Sequence, residues 1–253
     1  MLTDFSDVIL LLTAAFIAGA LNAVAGGGSF LTLPALVFTG IPPVVANATG
    51  TVALLPGYIS GAFGFREDLK APPGLSLVSL AIISIVGGAI GAVLLIFTND
   101  QVFRQIIPWL LLLATGLFAF GPMILNKFKQ DSEVTTSFVK AGLGMFSVAI
   151  YGGYFNGGLG ILLLALLGLL GQTNLNAMNG VKNVVSALLT AIAVLIYAWG
   201  DVIAWSQALI MMVAATIGGY LGARVARRIP ATVFRMCIVI MGLIMSILFF
   251  INS

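Results

Sequence analysis

The chain has 253 residues, of which 60% are hydrophobic and only 8% charged, against roughly 25% charged in an average soluble domain. Its mean hydropathy is +1.17, and no Asp, Glu, Lys or Arg occurs between Asp7 and Arg66 or between Lys140 and Lys182. A water-soluble domain could not cover its surface with so few charges, so the composition predicts an integral membrane protein. The net charge of +3 is spread too thinly for a nucleic-acid footprint. The single Cys237 excludes an internal disulfide, and the absence of histidine removes the commonest metal ligand and general base. Neither a metal nor another cofactor is expected. Met1 to Asp7 carries two aspartates and no basic residue, so the first apolar segment is expected to be a mature helix, not a cleaved signal peptide.

A spanning helix needs roughly 20 apolar residues. Divided at its Gly/Pro clusters and charges, the chain gives eight long apolar segments, at 8–25, 43–65, 74–97, 102–125, 136–155, 175–199, 202–223 and 232–251. Two shorter segments, 29–39 and 159–170, follow glycine-rich breaks and are expected to be half-helices or re-entrant segments. The expected fold is therefore all-α. Arg66 and Lys70, then Lys127, Lys129 and Lys140, then Arg224, Arg227, Arg228 and Arg235 mark three basic loops. Lys and Arg favour the cytoplasmic side, which places both termini outside.

The halves resemble each other. Gly87-Gly88-Ala89-Ile90-Gly91-Ala92 matches Gly218-Gly219-Tyr220-Leu221-Gly222-Ala223, and Val102-Phe103-Arg104 matches Val233-Phe234-Arg235, both at an offset of 131. Gly26, Gly28 and Asn47 match Gly158, Gly160 and Asn179 at an offset of 132. Each half reads long, short, long, long, long. Five segments is an odd number, so the halves enter the membrane from opposite sides, and related loops carry opposite charge bias. The expectation is an inverted-topology repeat: residues 1–125, a cytoplasmic linker 126–140, and residues 141–253.

The polar residues within this apolar frame are few. Asn22 precedes Gly26-Gly27-Gly28-Ser29, where three consecutive glycines break a helix and a short one begins. Exposed backbone N–H groups at a helix start favour an anion. The second half has the parallel break Asn156-Gly157-Gly158-Leu159-Gly160. Close helix packing through small residues is the plainer explanation, and it is the one assigned to Gly87, Gly91, Gly218 and Gly222. No Gly-Lys-Ser/Thr ending makes the first break a nucleotide loop.

A second polar set is Asn47, Thr49 and Thr51 after Pro42-Pro43, matched by Asn179, Lys182 and Asn183. Asn179, Lys182, Asn183, Ser186 and Thr190 share one helix face. Lys182 is the only charge far from a loop cluster, and a lysine at a helix centre costs about 2.5–3.5 kcal/mol. It either snorkels to the cytoplasmic edge or offsets the charge of an anionic substrate.

The run Ala18-Gly19-Ala20-Leu21-Asn22-Ala23-Val24-Ala25-Gly26-Gly27-Gly28-Ser29-Phe30-Leu31-Thr32-Leu33-Pro34, followed by Gly40-Ile41-Pro42-Pro43 and Ala46-Asn47-Ala48-Thr49, resembles the TauE/SafE family. The second-half runs Gly157-Gly158-Leu159-Gly160 and Asn176-Ala177-Met178-Asn179 are similar to it as well. The resemblance implies a multi-pass protein of the bacterial inner membrane that moves sulfite or organosulfonates. The expected function is secondary transport, as export, with a small anion and the lipid bilayer as partners. A passive anion channel, or a carrier of another small organic anion, fits the same pattern. An intramembrane enzyme would have only a Ser186–Lys182 dyad to use, so none is expected.

Overall fold

The computed structural model describes residues 5–128, 137–225 and 231–251. Within them the chain forms ten α-helices: α1 (Phe5–Ala25), α2 (Ser29–Phe38), α3 (Pro43–Gly64), α4 (Leu77–Ile96), α5 (Asp100–Phe128), α6 (Phe138–Phe155), α7 (Leu159–Leu169), α8 (Leu175–Trp199), α9 (Trp205–Val225) and α10 (Ala231–Ile251). One 3-10 turn, Arg66–Asp68, follows α3. Every expected segment is a helix. Of the basic loops used to orient the chain, Lys129, Arg227 and Arg228 lie outside the described residues, as do the side chains of Lys127, Arg224 and Arg235 and the surroundings of Gly222.

Local capping moves several boundaries by a few residues. Ser76 Oγ accepts from Ser79 N at 3.0 Å, so α4 starts at Leu77 and leaves Gly74 in a left-handed turn (φ 83°). Asn99 Oδ1 accepts from Val102 N at 2.8 Å and starts α5 early, while Asn174 Oδ1 caps α8 through Ala177 N at 3.0 Å. Such caps satisfy N–H groups that have no partner inside the helix.

The two short helices have 10 and 11 residues, about 15 Å of rise against roughly 30 Å of hydrocarbon. They end alike. Ile41 N donates to Leu36 O and Gly40 N to Val37 O; Gln172 N donates to Leu167 O and Gly171 N to Gly168 O. This is the hydrogen-bond pattern of a Schellman turn. Each short helix doubles back along its predecessor. The end of α2 (Val37, Phe38) shares a cleft with the start of α1 (Leu10, Ala14). In the other half, a side chain at Gly152 would meet Leu159 and one at Gly144 would meet Leu166. Both short helices therefore run antiparallel to the helix before them.

Helices of different halves pack through glycine. A side chain at Gly218 in α9 would strike the Phe16 carbonyl of α1, and one at Gly19 the Ala215 carbonyl of α9. In the same manner Gly91 of α4 faces the Ile150 carbonyl of α6, and Gly153 of α6 faces that of Gly88. Backbones this close leave no room for a Cβ, which fits the packing role expected of Gly91 and Gly218.

The outside and inside of the bundle are inverted relative to a soluble protein. Phe38, Phe97 and Trp199 are more than 80% exposed, whereas Asn47, Thr49, Asn156 and Lys182 are at most 3% exposed. Lipid solvates such a surface and water does not. Four helices, Phe5–Ala23, Leu77–Ile96, Phe138–Phe155 and Leu175–Trp199, are long and apolar enough among the described residues to cross a membrane.

The packing account predicts a contrast between two glycines. Gly218→Val drives a branched side chain into the α1 backbone, so overpacking of about 1–3 kcal/mol lowers the melting temperature and the monodisperse yield. Gly116→Ala meets open space, with nothing within 4 Å, and leaves both unchanged or slightly raised. Equal behaviour of the two variants in a thermal-shift and size-exclusion assay would remove the packing role.

Candidate functional site

The two helix breaks meet. After α1, Gly26 takes φ 78° and its N–H closes on Asn22 O at 3.1 Å. After α6, Gly158 takes φ 71°. L-residues rarely adopt this left-handed backbone, so glycine at these two positions is a backbone requirement. A Cβ on Gly26 would lie 2.7 Å from the Gly160 Cα, and one on Gly160 would lie 2.8 Å from the Gly26 Cα. The two helix breaks thus touch backbone to backbone at a point where neither can carry a side chain.

Lys182 runs past this contact. Its Cδ lies 3.4 Å from the position of a Cβ on Gly160, and the residue is only 2% exposed. A snorkelling lysine would carry its ammonium to the surface; this one is enclosed, about 10 Å into α8 at 1.5 Å per residue. Among the described residues it makes no hydrogen bond or ion pair, the one ion pair there being Arg66–Glu67 at the surface. The helix ends nearby oppose each other. The starts of α2 and α7 each contribute roughly +0.5 charge and the ends of α1 and α6 roughly −0.5, so the full charge of Lys182 sets the sign.

Several buried polar groups of α1, α2, α8 and the second break have no partner. Asn156 Oδ1 accepts from the Tyr58 hydroxyl at 3.1 Å, and Asn22 also reaches this hydroxyl. That leaves Asn22 Oδ1 and Asn156 Nδ2 unpaired. Ser29 Oγ, Thr32 Oγ1, Ser186 Oγ and Thr190 Oγ1 are buried and unpaired as well. The contrast with other helical hydroxyls is informative: Thr51, Ser84, Ser147, Thr216 and Ser246 all donate to the carbonyl four residues earlier. Ser186 and Thr190, one and two turns beyond Lys182, forgo that bond. The N–H groups of Gly27, Gly28 and Ser29 also have no acceptor among the described residues.

Other residues expected at the site are committed to holding helices together. Asn47 Nδ2 donates to Tyr154 O at 3.0 Å, and Thr51 Oγ1 donates to Asn47 O at 2.8 Å. Thr49 Oγ1 accepts from Ala204 N at 3.0 Å, joining α3 to the start of α9. Asn179 Nδ2 donates to Leu175 O at 3.0 Å near the helix start. Gly157 O accepts from the Tyr151 hydroxyl at 2.6 Å. The structure thus gathers Asn22, Gly26, Gly27, Gly28, Ser29, Asn156, Gly158 and Lys182 about the break contact, and it gives Asn47, Thr49, Thr51, Gly157 and Asn179 bonding partners elsewhere. Tyr58 was not among the expected residues. Its signal was the spacing of Asn47, Thr51 and Tyr58, +4 and +7, which lines one face of α3.

Asn183 and Asn22 line a cleft of about 530 Å³ that includes Gly57, Ser60, Gly61 and Phe65. The cleft lies at the Arg66–Lys70 end of the bundle. At the opposite end Phe103 packs edge-on against Tyr154 and Phe155, with ring centroids 5.6 and 6.4 Å apart. There the Tyr197 hydroxyl donates to Gly153 O, and Val44 N donates to Asp100 Oδ1 at 2.9 Å. At that end aromatic rings fill the space between α5 and α6.

Ser186 Oγ makes no hydrogen bond to Lys182. Among the described residues no group of three His, Cys, Asp or Glu could hold a metal.

The chain is similar to proteins described as membrane transporters. The chain is 28% identical over 245 residues to a "Probable membrane transporter protein" of Haemophilus influenzae, covering 94% of this chain and 92% of that protein. It is 29% identical over 254 residues to "Probable membrane transporter protein ORF9" of a Sinorhizobium species, covering 96% and 92%. It is 27% identical over 238 residues to "Probable membrane transporter protein YfcA" of Escherichia coli K12, covering 94% and 87%. These relatives and the apolar helices make it a multi-pass membrane protein. The family model described as "Sulfite exporter TauE/SafE" matches residues 11–249, and the chain belongs to that family.

Proposed function

We propose that the protein is a secondary transporter that exports a small sulfur-containing oxyanion, sulfite or an organosulfonate, by alternating access. The observation that carries this reading is the enclosed, unpaired Lys182 beside the contact of the two helix breaks. A buried ammonium with no counter-charge is costly unless something pairs with it. The unpaired groups nearby include Asn156 Nδ2, the hydroxyls of Ser29, Ser186 and Thr190, and the N–H groups at the start of α2. These are hydrogen-bond donors, suited to the several oxygens of an oxyanion. The family's description as sulfite exporters supports the substrate class and the direction.

In the same reading the halves, residues 1–125 and 141–253 joined by 126–140, are inverted repeats. In its support, Gly26 and Gly158 are left-handed at an offset of 132, and Gly40 and Gly171 at an offset of 131. The glycine contacts also exchange partners between halves, α4 on α6 and α9 on α1. Alternating access then follows from rocking one half against the other. The cleft at the Arg66–Lys70 end is the inward opening, with both termini outside, in a bacterial inner membrane. The aromatic packing at the other end argues against a continuous channel.

Two measurements test this. In proteoliposomes, Lys182→Gln reduces saturable sulfite and sulfonate flux by about 100-fold or more, as expected for loss of one partner of a buried charge pair, while yield and monodispersity hold. Wild-type flux in that variant removes lysine from the mechanism, and linear flux without counterflow removes the carrier. In a Cys237→Ser background, Ser60→Cys in intact spheroplasts resists an impermeant maleimide, whereas inside-out vesicles label rapidly. The reverse pattern would invert the orientation.

A further inference from the structure

A second cleft, of about 510 Å³, lies between the starts of α1 and α5, the end of α2 and the end of α10. Its walls are apolar, with Leu10, Ala14, Leu31, Ala35 and Phe249 among them, and Arg104 is its single charged residue. None of the unpaired amides and hydroxyls of the break contact lines it, so it does not extend the transport site. A helix is about 10–12 Å across, and this volume would hold barely one turn of it. A flexible hydrocarbon chain fits the space.

Arg104 supplies the second element. It stands one turn into α5 and is exposed, at the end of the bundle where α1 begins and α2 finishes. Among the described residues it makes no ion pair or hydrogen bond. Asp100, one turn earlier, is the acidic residue nearest in sequence. Its Oδ1 accepts from Val44 N at 2.9 Å, and it forms no ion pair with Arg104. An exposed arginine near a helix end, lining an apolar cleft, has a fork of N–H donors that matches phosphate.

We propose that this cleft binds an anionic phospholipid, with one acyl chain between α1, α2 and α10 and the phosphate paired with Arg104. One chain in the cleft fixes the lipid laterally, and Arg104 selects its charge.

The test is native mass spectrometry of the full chain in mild detergent, with equimolar phosphatidylglycerol and phosphatidylcholine of identical acyl chains. The wild type retains phosphatidylglycerol with about a fivefold preference, the equivalent of about 1 kcal/mol for one basic residue at an anionic surface. Arg104→Gln brings the ratio to about one, and Arg66→Gln, exposed at the opposite end, leaves it unchanged. Ala35→Phe fills the cleft and reduces retention of both lipids. Equal retention of the two lipids by the wild type, an unchanged preference in Arg104→Gln, or displacement of the lipid by excess inorganic phosphate would each overturn the proposal. Because Arg104 is exposed, the decision does not depend on how well Ala35→Phe folds, and because the readout is binding, it stands apart from transport.

Discussion

The backbone contact between Gly26 and Gly160 governs how the rest of the bundle is arranged, because it brings two interrupted helices together where neither chain can carry a side chain. In hydrocarbon an interrupted helix is tolerable only if its freed N–H and C=O groups are buried in protein or face a polar cavity. The molecule meets that condition by folding α2 and α7 back along α1 and α6. It then draws the chain's scarce polar residues inward, and Lys182 stands beside the join. Removing the glycines would separate the breaks. Removing the polar residues would leave the breaks without partners.

The two ends of the bundle differ because the polar residues of the two halves are not equivalent. Lys182 corresponds to Gly50 at the 132-residue offset, and a side chain at Gly50 would instead meet Thr32 at 2.7 Å. One half therefore supplies a cation where the other packs a glycine against α2. Asn47, Thr49 and Thr51 are occupied in tying α3 to α6, α9 and their own helix. Their counterpart region places Lys182 beside the break contact and Asn183 in the cleft.

Much of the fold was legible because glycine, proline and the rare charges punctuate an otherwise continuous apolar chain. Ten helices could be counted from those marks, and the shifts at Leu77 and Asp100 came from single capping side chains, Ser76 and Asn99. The candidate site was legible where it depended on scarcity: a lone lysine, a glycine triplet, an asparagine at a break. It was not legible where a hydroxyl or amide had two possible partners. Thr49 could have faced a ligand, yet its oxygen meets the Ala204 N–H of a helix 155 positions away in sequence. Asn179 and Asn183 share a face of α8, but one turn separates a residue bonded to its own helix from one that lines the cleft. Tyr58 was missed because its role exists only once α3 lies between Asn22 and Asn156.

The central claim is that Lys182, beside the Gly26–Gly160 contact, pairs with an oxyanion. Selenite is the selenium counterpart of sulfite and scatters anomalously, so it reports its own position. Crystals of the full chain soaked in selenite should show an anomalous peak within hydrogen-bonding distance of the Lys182 ammonium, and Lys182→Gln should lose it. A peak elsewhere in the bundle, or one that persists beside residue 182 in the glutamine variant, would contradict the account.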